Sequence, residues 1–149
     1  MRVAKYWIEH PDRRQYLDGI AFCPEGNISA DTYNLWRGFA VEADPTANCE
    51  LFIAHLKEVI CGGDANCYEY FFNWLALMIQ RPWVLPGVAI VLRSDQGTGK
   101  GLLMQYLGKM LGSHYKAVTG MKHLVGQFSG HLEDAVLVFA DEVAWDGSK

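Results

Sequence analysis

A chain of 149 residues, half of them hydrophobic and 13% aromatic, can bury a real core and is long enough for one ordinary domain with or without a small appendage. Its net charge of −4 is unevenly placed, with 7 basic against 11 acidic residues over 1–82 and 6 of each over 83–149, so no basic stripe argues for broad nucleic-acid binding. No secretory h-region follows Met1, and the longest apolar block, 70–79, is interrupted by Asn73 and falls short of the ~20 residues of a membrane span; a cytoplasmic protein without a membrane partner is expected.

Residues 1–18 mix aromatics with charges (Tyr6, Trp7, Arg13, Arg14, Tyr16) and show no firm period. Turn signals at Asp18-Gly19 and over 23–27 bracket a short apolar run, Ile20-Ala21-Phe22. The aromatic segment 33–39 reads as a strand or extended piece closed by Gly38, with rings anchored on the next helices. From Asp44-Pro45 a helical pattern places Phe52, Leu56, Val59 and Ile60 on one face, and Gly62-Gly63 ends it as a C-cap. Asp64 can cap a second helix reaching Gln80. It is apolar on nearly every side from Tyr68 onward, the pattern of a buried helix. Residues 1–82 are therefore expected to form a mostly α-helical region packed on the remainder of the chain, and residues 83–149 a separate α/β portion.

In that second portion the apolar run 88–92 reads as a buried strand. A glycine-bearing loop comes next, Ser94-Asp95-Gln96-Gly97-Thr98-Gly99-Lys100-Gly101, and then an amphipathic helix carrying Leu102, Leu103, Tyr106, Leu107, Met110 and Leu111. Residues 115–118 read as a short strand and 121–128 as a short helix. Residues 135–140 form a second buried-strand run ending in Asp141-Glu142. Strands alternating with helices predict α/β with a parallel sheet.

The four cysteines, Cys23, Cys49, Cys61 and Cys67, are spaced 26, 12 and 6 apart, which is no zinc pattern; free thiols are expected. The five histidines form no metal-ligand spacing and no nucleophilic set, and read as structural.

Strand, glycine loop with a terminal lysine, and helix together make the layout of a phosphate-binding P-loop, whose amides and helix N-terminus present positive partial charge to an anion. The strict pattern GxxxxGK[ST] is met at Gly99 and Lys100, while Ser94 replaces its first glycine and Gly101 its hydroxyl residue. Lys100 and Glu142 are the expected catalytic residues, with Glu142 as general base for an attacking water. Gln96, Gly97, Thr98, Gly99, Lys100, Gly101 and Leu102 are expected to bind nucleotide. Asp141, at the tip of a buried strand, is expected to hold the metal as a Walker B carboxylate. Glycine in the first turn of a helix costs up to ~1 kcal/mol against alanine, which suggests a steric reason for Gly101.

Segments 33–39, 74–76, 92–101, 123–128 and 139–142 together resemble the superfamily 3, AAA+-type helicase domain of phage and plasmid replication proteins, often fused to primase modules. The resemblance implies a P-loop NTPase (AAA+-like) parallel sheet in the order 5-1-4-3-2, here truncated after the Walker B strand and preceded by the mostly α-helical region. It implies ATP and Mg²⁺ as cofactors and a replicative DNA helicase or primase-helicase as the parent. It also implies a homo-oligomeric ring, and single-stranded DNA as a partner through parts beyond Lys149, in a bacterial or phage-infected cell. The chain alone would bind nucleotide without turning it over. A small nucleotide kinase and a non-catalytic nucleotide-binding scaffold are the alternatives; the absence of any arginine after Lys100 disfavours the kinase, which needs arginines in its lid.

Overall fold

The structure is a computed structural model that describes residues 3–93, 97–119 and 130–141, and the chain divides into two units, Met1–Trp36 and Arg37–Lys149. In the first unit, helix α1 (Val3–Glu9) has no buried residue. Strands β1 (Ile20–Ala21) and β2 (Tyr33–Asn34) pair in parallel, Ile20 opposite Tyr33. Asn34 fixes this unit through its amide. Its Oδ1 accepts from the N–H groups of Cys23 and Trp36 at 3.0 and 2.9 Å, and its Nδ2 donates to the Cys23 carbonyl at 2.9 Å. Edge-on ring pairs, Tyr16 with Tyr33 and Phe22 with Trp36, supply the apolar contact.

The second unit holds α2 (Glu50–Ala54), α3 (Ala65–Gln80), α4 (Lys100–Leu111), β3 (Tyr115–Val118) and β4 (Leu137–Ala140). Helix α2 starts later than Asp44-Pro45 suggests, because side chains compete with the helix for backbone groups. Asp44 Oδ1 accepts from both the N–H and the hydroxyl of Thr46, and Asn48 Oδ1 accepts from the Glu50 N–H. Past Ala54 the helix widens into a π turn, His55–Ile60, closed by the Cys61 N–H on the Leu56 carbonyl at 3.0 Å. Gly62 and Gly63, both at positive φ, then end it, with the Gly63 N–H bonded back to the Lys57 carbonyl.

Asp64 caps α3 as its position suggests, its side chain accepting from the Cys67 N–H at 2.8 Å. The helix is not buried all round, however. Phe71, Leu75 and Met78 form its inward stripe, while Tyr70 is 57% exposed. That stripe meets Leu103, Met104, Leu107 and Leu111 of α4, with Leu56 of the π turn and Leu137 of β4 completing the core. His114, fully buried, ties the strand end of this core together: its Nε2 accepts from the Arg37 N–H at 3.0 Å and its Nδ1 lies 2.7 Å from the Asp134 carbonyl.

The expected P-loop sheet is not what forms. Among the described residues the sheets are two parallel pairs, β1–β2 and β3–β4, with Tyr115 opposite Leu137 in the second. Residues 88–92 carry no strand, and Val88 and Val91 are 48% and 86% exposed. A buried-strand run needs partners on both edges and cover on both faces; among the described residues this one has no strand beside it. The expected helix over 121–128 lies outside the described residues.

Candidate functional site

The glycine loop leads straight into α4. Gly99 sits at its N-cap with φ 81° and Lys100 opens the helix, whose first turn holds no acidic residue. The Leu103 N–H donates to the Gly99 carbonyl at 3.1 Å. The N-terminal amides of a helix and a lysine beside them are groups that attract an anion. The Lys100 ammonium bends back to within 3.4 Å of the Thr98 hydroxyl oxygen. Gly97 is also at positive φ, 83°. Leu102 does not join the loop; it lies half exposed on the rim of an apolar groove.

That groove, of about 740 Å³, runs between α2, α3 and α4 and is lined by Phe52, Phe72, Leu75, Leu103 and Tyr106 among others. His55 joins it to the glycine loop. A Cβ on Gly99 would lie 2.5 Å from His55 Cε1 and 2.8 Å from its Nε2, so the imidazole rests directly on the glycine backbone. Its Nε2 is buried with no hydrogen-bond partner among the described residues. The close approach that explains a glycine here therefore belongs to Gly99. Around Gly101 a Cβ would meet nothing within 4 Å.

A second cleft, of about 580 Å³, lies between α4 and the strand pair. It brings Gly101 and Asp141 together, along with Gln105, Lys109, Tyr115 and Thr119. Asp141 directly succeeds β4, its N–H donating to the Val118 carbonyl at 3.2 Å. Burial pushes the Tyr115 phenol upward first, and the charge of Asp141 adds to it. Among the described residues no group of three or more His, Cys, Asp and Glu side chains could hold a metal ion. Among the residues lining this cleft, Asp141 contributes a carboxylate.

Of the expected site residues, Gly97, Thr98, Gly99 and Lys100 share one loop, and Gly101 and Asp141 share the second cleft. Gln96 and Glu142 lie outside the described residues. His55 and Tyr115 were not singled out as functional by their sequence; a histidine on a helical pattern and a tyrosine in a short strand carry no signal until the fold sets them against Gly99 and Asp141.

Comparison with known proteins sets this chain beside a phage primase-polymerase. A family model described as "Family of unknown function (DUF5906)" matches residues 92–149. The chain is similar to the DNA primase-polymerase of Nitratiruptor phage NrS-1, 36% identical over 86 residues, which is 58% of this chain and 12% of that protein. It also matches the solved apo structure of the NrS-1 C-terminal region (305–718) with a TM-score of 0.68 and 27% identity. That match covers 85% of this chain and 32% of the solved chain. These findings correct the resemblance to an AAA+ helicase domain and the helicase-ATPase function drawn from it: the likeness is to the C-terminal region of a phage primase-polymerase. Among the described residues no helix is long and apolar enough to cross a membrane.

Proposed function

We propose that this chain is a portion of the C-terminal region of a phage-type DNA primase-polymerase and serves DNA replication. The observation that carries this reading is the match to the NrS-1 C-terminal region over 85% of the chain; the 36% identity to a primase-polymerase agrees with it. The whole protein acts on single-stranded DNA in this reading. The α4 N-terminus with Lys100 meets a phosphate group there, and Asp141 holds a magnesium ion in the separate cleft beside β4.

The experiment is template-directed primer synthesis and single-stranded DNA binding by the full-length protein. Lys100→Ala and Asp141→Asn are compared with the unsubstituted protein, and ATP with Mg²⁺ is titrated separately. Weakened DNA binding or synthesis in Lys100→Ala, with the fold intact by circular dichroism, supports the phosphate assignment. Absence of any DNA-dependent activity in the unsubstituted full-length protein overturns the replication reading.

A further inference from the structure

We propose that the groove between α2, α3 and α4 holds an unstacked base of single-stranded DNA, with the flanking backbone phosphates met by Lys100 and Lys109. The inference rests on the replication reading above and names what the groove takes within it. A volume of about 740 Å³ falls inside the ~300–1,000 Å³ of small-ligand sites and leaves room for a base and its sugar.

The wall of the groove is aromatic. Phe52 and Tyr106 stand edge-on, with ring centroids 6.4 Å apart and planes at 83°. Such a pair covers at most one ring face, which leaves π-surface on which a third ring can stack. Phe72, also on the groove, is exposed and already stacked against Tyr68 at 5.5 Å, so its ring is held as a platform. Stacking of this kind accepts any base, because every base has a π-face.

The charges around that wall suit a polyanion. Helix α4 carries Lys100 and Lys109 and no acidic residue. The helical rise sets the two lysines roughly 13 Å apart along the axis, with Tyr106 between them. The Lys109 Nζ lies over the Tyr106 ring, 5.9 Å from its centroid. At the Lys100 end, His55 lines the groove and rests on Gly99. Among the described residues no acidic side chain lines the groove, and its two amide side chains, Asn48 and Gln80, are of the kind that hydrogen-bond base edges. A wholly apolar occupant would use neither the amides nor the lysines. Two lysines are far fewer than a basic stripe, so the grip is on one nucleotide rather than on a long tract.

The test uses the full-length protein and a short single-stranded oligonucleotide carrying bromodeoxyuridine, which cross-links to aromatic side chains on irradiation. Adducts should map to Tyr106, Phe72 or Phe52. The oligonucleotide should also protect Cys49, an exposed thiol lining the groove, from maleimide. Tyr106→Leu keeps an apolar side chain and removes the ring, and should weaken binding at least about fivefold; Tyr106→Phe should retain it. Lys109→Gln should weaken binding and lower its salt dependence by about one phosphate contact. Both positions are exposed, so these variants keep the fold. Unchanged affinity in Tyr106→Leu, with adducts outside the groove, overturns the proposal and leaves the replication reading standing. Failure of the unsubstituted protein to bind single-stranded DNA overturns both. Protection of Cys49 by bromodeoxyuridine triphosphate as effective as that by the oligonucleotide assigns the groove to a free nucleotide. Self-association that shields Cys49 and that the oligonucleotide does not reverse assigns it to a second copy of the chain. Either result overturns the proposal.

Discussion

Gly99 meets two demands at once. Its φ of 81° lies where a side chain costs roughly 1–2 kcal/mol, and the His55 ring occupies the space a Cβ would need. Gly99→Ala should therefore destabilise the protein by at least about 2 kcal/mol, since both penalties act together. Denaturant unfolding would read the loss. Combining it with His55→Ala should recover the overlap and leave the backbone cost; equal losses in the single and double variants would show that His55 does not press on the loop. A second prediction concerns pH. The Lys116 Nζ lies 3.0 Å from Asp134 Oδ1. Burial raises the Asp134 carboxyl, but the Lys116 hydrogen bond and charge outweigh it and hold it below its ordinary 3.8. A carboxyl lowered in the folded state adds stability that is present above the unfolded value and lost as pH falls through the folded one. Unfolding midpoints should drop as pH falls below about 4. Lys116→Met should flatten that drop without abolishing it, because Asp44, lowered by its side-chain bond to Thr46, keeps its own share.

At the scale of elements, what could be read from the residues was whatever a few neighbours decide. Asp64 ahead of an apolar helix reads as a cap because its carboxylate reaches an amide three residues on, and Asp64→Ala should cost about 1 kcal/mol of stability in thermal or denaturant unfolding. Gly62-Gly63 and the period of α4 are local in the same way. The run 88–92 was misleading because five apolar residues satisfy a strand and a half-covered coil equally, and only distant partners choose between them. The π turn after Ala54 left no mark in the residues, since His55–Ile60 carries the same apolar spacing an α-helix would. The all-apolar look of α3 likewise hid its single inward stripe. At the site, the loop 97–100 and Asp141 could be picked out from the residues, but not their separation into one loop and a different cleft. That separation comes from where α4 lies against β3 and β4. Leu103, fully buried between α3 and α4, is the packing anchor of this arrangement, and Leu103→Ala should cost roughly 2–5 kcal/mol. A loss well below that range would mean that the two helices reclose around the gap.

At the scale of the whole molecule the decisive feature is apolar surface without cover. Around the 740 Å³ groove, Leu51 is 89% exposed, Tyr106 54%, Leu102 48% and Phe72 39%, and apolar patches of this kind are uncommon on soluble monomers. The chain spans 12% of the primase-polymerase it resembles and 32% of the solved C-terminal region. Burial of apolar surface is favourable at about 25 cal/mol per Å², so a groove left open should recruit any apolar body offered to it. The purified 149-residue chain should therefore bind a hydrophobic dye at the groove and associate in a concentration-dependent way, read by fluorescence and sedimentation. Leu51→Lys and Leu102→Gln change exposed positions and should leave the unfolding midpoint within about 0.5 kcal/mol of its starting stability. Together they should cut dye binding severalfold and shift sedimentation toward the monomer. If the dye signal persists in the double variant, the sticky surface lies elsewhere, on the exposed run through Leu85, Val88 and Val91 or on the exposed Val3, Tyr6, Trp7 and Ile8 of α1.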